Sequence, residues 1–93
     1  MNDKLLTIID HYGILAQLKY FYSEIYELTE AILADTDVNH IREEIADVMV
    51  MLKQFQLYFM IDDEEIEDIM KFKIDRQIER IEKEWNTNHL NGF

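Results

Sequence analysis

The chain has no cysteine, no proline and only two glycines, Gly13 and Gly92, among its 93 residues. Without thiols there can be no disulfide, thiolate metal site or cysteine nucleophile, and thiol usage gives no indication of compartment. So little proline and glycine argues against a many-stranded β fold, whose hairpins need such residues at their turns. Basic residues are also scarce, nine Lys and Arg against twenty Asp and Glu, giving a formal charge of −11. Such a surface repels nucleic-acid phosphate, so no nucleic-acid partner is expected. No apolar run approaches the ~20 residues of a membrane span, so no membrane association is expected either. The opening MNDKLLTIIDHYG carries charges and a histidine among its apolar residues. That pattern lacks the continuous apolar core of a signal peptide, and cytoplasmic residence is the expectation.

Hydrophobic residues nevertheless make up 48 % of the chain, too many for disorder, and its mass of 11.3 kDa suits one small domain spanning 1–93. Apolar residues recur at three- and four-residue steps in three long stretches, broken by polar segments at Asp35–Asn39 and near Asp62–Asp63. The expected fold is all-α: an antiparallel bundle of three long helices plus a short N-terminal one, Asp3 to Tyr12, that ends near Gly13. A second helix, Ile14 to Ala34, should bury Ile14, Leu18, Phe21, Ile25, Leu28 and Ile32. The third, capped by Asp37 or Asn39, should bury Ile41, Ile45, Val48, Leu52, Phe55 and Phe59. The fourth, Asp63 to Trp85 with Asp62 or Asp63 as cap, carries Ile66, Ile69, Met70, Ile74, Ile78 and Ile81, and Asn86 to Phe93 form an aperiodic tail. Such helices enclose only a thin core, so a homodimer or tetramer is expected to complete the bundle.

The carboxylates are the informative feature. Glu24 and Glu27 on the second helix, and Glu44 and Asp47 on the third, are each spaced i, i+3, which puts each pair on one strip. At about 100° per residue the two pairs lie on corresponding flanks of their apolar stripes. In an antiparallel pair they meet on one side, with an axial mismatch of roughly 3 Å at about 1.5 Å per residue. Two glutamates three apart are ordinarily a solvated face, but two such pairs at matching height ask for a cation between them. All-oxygen ligation suits Mg²⁺, with Mn²⁺ as a substitute, and Mg²⁺ held by a few carboxylates keeps positions open for water and substrate phosphates.

Glu24-Ile-Tyr-Glu27 followed by Glu43-Glu44-Ile-Ala-Asp47-Val resembles the ExxE…ExxD signature of MazG-like nucleotide pyrophosphohydrolases, members of the all-α NTP pyrophosphatase superfamily. Gly13, Gln17, Glu27-Leu28 and the stretch Lys71 to Arg76 are similar too, so the resemblance covers about residues 12–84. It implies hydrolysis of a nucleoside triphosphate between its α and β phosphates, to a monophosphate and pyrophosphate, with Mg²⁺. Glu24, Glu27, Glu44 and Asp47 would be the metal ligands, and Glu27 and Glu44 the catalytic carboxylates. Lys73, Arg76 and Arg80 are assigned to the phosphates, against the alternative of ordinary pairing along the helix. Gln17 and Tyr20 precede Glu24 on its strip and are candidates for base or ribose contact, with packing as the other explanation. His40, one turn before Glu44, is either a neighbour of the site or a surface residue. Ser23 stands where many relatives place another acid, and no second repeat follows, which points to lower activity or a narrower substrate range. The rival reading is a non-catalytic acidic helical protein, either a nucleic-acid mimic or a degenerate member that binds nucleotide without turning it over.

Overall fold

The computed structural model describes residues 1–34 and 37–90 and is all-helical, with no strand among the described residues. Four helices follow in order: α1 (Asn2–Tyr12), α2 (Ile14–Leu33), α3 (Val38–Tyr58) and α4 (Asp63–Leu90). They form two compact units, Met1–Ile61 and Asp62–Phe93.

The first unit holds α1, α2 and α3, each packed on the other two, with α2 against α3 the most extensive pairing. Gly13 makes the corner between α1 and α2 at φ 88°, a left-handed conformation that costs a glycine little, and its amide closes α1 by donating to the Ile9 carbonyl at 2.8 Å. Asp37 caps α3, its carboxylate accepting from the Asn39 amide at 3.1 Å. At the other end of α3 the chain turns through Met60 at φ 55°, and Gln56 steadies the turn by donating to the Ile61 carbonyl at 3.0 Å.

The faces that α2 and α3 bury differ from the expected stripes. Buried positions on α2 are Gln17, Glu24 and Ala31, and on α3 Glu44, Met51 and Gln54. Phe21 and Phe55 meet edge to face at 5.3 Å and, like Ile14, Leu28, Ile41 and Val48, are partly buried. Leu18, Ile25, Ile32, Ile45, Leu52 and Phe59, expected inside, are exposed. Each inward line is rotated from the apolar stripe by about one residue, because acids and amides occupy the α2–α3 seam. Leu5 and Ile9 of α1 complete the buried apolar set with Ala31 and Met51.

In the second unit the start of α4 is held by the Asp62 amide, which donates to Glu65 Oε2 at 2.8 Å. Asp63, Glu64 and Glu65 place negative charge on its first turn, where the helix dipole favours it. The helix runs five residues past Trp85, so the expected aperiodic tail is helical to Leu90. Residues 91–93 of that tail lie outside the described residues. Helix periodicity in apolar residues stops at Trp85, but nothing in Asn86–Leu90 breaks a helix already propagating.

Candidate metal centre

Two helices supply the carboxylates. Glu24 on α2 and Glu44 and Asp47 on α3 each present an oxygen, and these atoms all lie within 4.8 Å of one another. Glu24 is 3 % exposed and Glu44 8 %, whereas Asp47 is open to solvent. Glu24 Oε2 and Glu44 Oε2 are buried without any hydrogen-bond partner. A buried carboxylate oxygen with neither proton donor nor cation is costly, and two of them in one cluster fit a positive ion that satisfies both. The donor set is all oxygen, the set hard divalent cations prefer.

The charge pattern agrees. Glu44 has its pKa raised above the ordinary carboxylate range, chiefly because burial disfavours its charged form, then through repulsion from Glu27, Asp47 and Glu24. His40 acts in the opposite sense, its Nε2 standing 3.8 Å from Glu44 Oε1. His40 therefore neighbours the site. Glu27 lies outside the trio whose oxygens converge, yet of the surrounding charges it acts most strongly on Glu44. It is exposed and shares with Glu44, Glu30 and His40 a shallow recess on the same unit.

Beside the carboxylates runs a half-open cleft of about 560 Å³, within the size range of small-molecule sites. Glu24 and Asp47 stand in its lining together with Tyr12, Gln17, Tyr20, Met51 and Gln54. Gln17 and Tyr20 are thus both placed beside the cluster. The Gln17 amide is buried and donates to Gln54 Oε1 at 2.8 Å, with Met51 Sδ 3.8 Å from Gln54 Nε2 and 4.0 Å from Gln17 Nε2. Tyr20, one turn before Glu24 on α2, has its phenol's pKa raised, chiefly by the neighbouring Glu24 carboxylate, with Glu27 and Asp47 adding to the shift. Gln54, absent from the expected site, was signalled by spacing: it follows Asp47 by seven residues, as Glu24 follows Gln17, so a polar group recurs at two-turn steps along both cleft-lining faces.

Lys73, Arg76 and Arg80 belong to the second unit, on one strip of α4 at three- and four-residue spacing. There the Arg76 guanidinium lies 5.8 Å from the Phe72 ring centre, and Arg80 Nη1 donates to Gln77 at 3.1 Å. Lys71 is 3.8 Å from Glu67.

An all-helical chain that gathers acidic side chains from two packed helices into a group able to hold a metal ion defines a class: the helical carboxylate proteins. The family is more specific. Residues 13–89, well over half of the sequence, match the model of the MazG nucleotide pyrophosphohydrolase domain, and the chain belongs to that family. No curated protein and no solved structure matches it. No helix among the described residues is long and apolar enough to cross a membrane.

Proposed function

We propose that this protein is a Mg²⁺-dependent nucleoside triphosphate pyrophosphohydrolase, with Mn²⁺ as a possible substitute, that acts in the cytoplasm. It cleaves between the α and β phosphates to give a nucleoside monophosphate and pyrophosphate. The observation that carries the reading is the pair of buried carboxylate oxygens, on Glu24 and Glu44, that have no partner within a cluster completed by Asp47. Membership of the MazG family supports the reaction class.

On this reading Glu24, Glu44 and Asp47 hold the ion, with Glu27 as the fourth carboxylate. When bound, the ion neutralises phosphate oxygens and favours attack by water at phosphorus. The cleft lined by Gln17 and Tyr20 takes the base and ribose, which places the phosphates toward the carboxylates. Lys73, Arg76 and Arg80 carry the positive charge that matches phosphate oxygens. Glu27, solvent-exposed beside Glu44, accepts the proton of the attacking water. Water adds across the α–β anhydride, the P–O–P bridge breaks, and the pair of products leaves with one proton released.

The same proposal has α2 and α3 antiparallel within a bundle that a second copy completes. Leu18, Ile25 and Ile32 on α2 and Ile45 and Leu52 on α3 are 39 % to 55 % exposed, an apolar face that water does not favour.

The test is chromatographic. Incubation with a panel of ribo- and deoxynucleoside triphosphates in Mg²⁺, Mn²⁺ or EDTA should give metal-dependent monophosphate plus pyrophosphate. Diphosphate plus phosphate would mean a different phosphohydrolase, and no turnover across the panel would mean a non-catalytic acidic protein.

A further inference from the structure

Two buried amides stand in the wall of the cleft beside the carboxylates, Gln17 from α2 and Gln54 from α3. Gln17 Nε2 donates to Gln54 Oε1 at 2.8 Å, and both amide nitrogens also turn to Met51 Sδ, at 4.0 Å from Gln17 and 3.8 Å from Gln54. A thioether sulfur accepts and cannot donate, so the ends of the two amides beside it are the nitrogens. The donors of Gln17 are thereby committed to the interior. Its Oε1 accepts from no described residue, yet the buried oxygens left without a partner are those of Glu24 and Glu44 and not this one. Gln17 Oε1 therefore meets the open space of the cleft that Gln17 lines. Seven residues of α2 separate Gln17 from Glu24. That is about 10 Å along a helix axis, close to the reach from the α-phosphate of a nucleotide to the far edge of its base.

We propose that this cleft prefers bases with an exocyclic amino group at the far edge, cytosine and adenine, over their oxo counterparts uracil and hypoxanthine, and that Gln54 is the positioning residue that sets the preference. The inference rests on the reading of the protein as a nucleotide pyrophosphohydrolase whose base enters this cleft. A primary amide free to turn offers donors at one end and an acceptor at the other, so by itself it takes either kind of base. Held by Gln54, Gln17 shows only its acceptor to the cleft. An amino group donates to that oxygen. A carbonyl in the same place sets acceptor against acceptor in a half-enclosed site, and the imino N–H of uracil comes flanked by two carbonyls.

The experiment measures, by isothermal titration calorimetry in Mg²⁺, binding of non-hydrolysable α,β-methylene triphosphates to the full chain. They are used in matched pairs, deoxycytidine against deoxyuridine and deoxyadenosine against deoxyinosine. The expected result for wild type is binding of the amino member of each pair about tenfold or more tighter. Gln54→Leu removes the partner that holds Gln17, and the ratio within each pair should fall to near one; Gln54→Met, closer in length, takes its place if the leucine variant does not fold. A ratio taken within one protein is unmoved by a general loss of stability, so a merely structural role for Gln54 leaves it as in wild type. Equal affinities within the pairs, or tighter binding of the oxo members, would overturn the preference, and a Gln54 variant with the wild-type ratio would overturn the positioning role. In those cases metal-dependent release of monophosphate and pyrophosphate from natural triphosphates leaves the hydrolase reading standing. A wild type that binds none of the four analogues overturns the inference, and if it also turns over no triphosphate the hydrolase reading falls with it.

Discussion

Glu44 is the residue where burial and charge oppose each other most directly. Its carboxyl is pushed above the usual range, first by burial and then by Glu27, Asp47 and Glu24, so the folded state favours its protonated form. Linkage gives the sign: the stability contributed by protonation is fully present below the unfolded carboxylate value and is lost as pH rises through the raised pKa. In EDTA, Glu44→Gln should therefore melt higher than wild type at neutral pH, with the difference shrinking on acidification. With Mg²⁺ the order reverses, because the ion needs the charged carboxylate, and wild type alone should gain stability with metal concentration. Calorimetry at several pH values with and without Mg²⁺ reads both effects; a Glu44→Gln protein stabilised by Mg²⁺ as strongly as wild type would remove Glu44 from the site. Glu44→Ala should lower turnover by about a hundredfold or more while leaving helicity unchanged.

The glutamine pair makes a separate prediction at the same scale. Gln17 and Gln54 are 6 % and 1 % exposed and bonded to each other at 2.8 Å, so removing one leaves a buried amide to the weak sulfur of Met51. Gln54→Leu should destabilise by about 1–3 kcal/mol, and the Gln17→Leu/Gln54→Leu double variant by less than the sum of the singles. Urea unfolding of the four proteins at one chain concentration closes the cycle. Additive losses would mean that the bond contributes nothing beyond its separate parts.

At the scale of the helices, α3 depends on a cap formed next to the residues 35–36 connection. Asp37 accepts from the Asn39 amide, and Asp37→Ala should cost about 1 kcal/mol in urea unfolding. An unchanged midpoint would show that the helix starts as well without it. Boundaries such as this were legible because punctuation is local: Gly13, Asp37 and the acids after Asp62 end or begin helices by their own chemistry. The step from Glu44 to Asp47 was legible for the same reason, since one turn of helix fixes it, whereas bringing Glu24 beside them takes the packing of α2 on α3. What misled was the apolar stripe on α2 and α3. Periodicity weighs hydrophobicity alone, and here the seam is taken by Gln17, Glu24, Glu44 and Gln54, so the inward line runs beside the stripe. Polar residues are placed inward where they serve one another or a ligand, a reason that only the paired helices reveal.

For the whole molecule the unbalanced quantity is apolar surface. Only Leu5, Ile9, Ala31 and Met51 are buried hydrophobic residues among those described, while Leu18, Ile25, Ile45 and Leu52 of the first unit stay at least 39 % exposed. In the second unit Ile69, Ile74, Ile78 and Ile81 are each at least half exposed along one helix. An isolated amphipathic helix gains its stability from burying such a face, and a unit with so few buried apolar side chains is marginal alone. A charge of −11 opposes indiscriminate association of these faces, so the assembly that covers them should be small and defined. Sedimentation at micromolar concentration should therefore give a mass that is a low multiple of 11.3 kDa. The paired variant Ile25→Glu/Leu52→Glu places charge on exposed apolar positions of α2 and α3. It should shift the mass toward one chain and lower the melting temperature in a concentration-dependent way, since folding and assembly are then coupled. Wild type sedimenting as a single chain, with a melting temperature independent of concentration, would show that these apolar faces are tolerated in water and that no second copy completes the bundle.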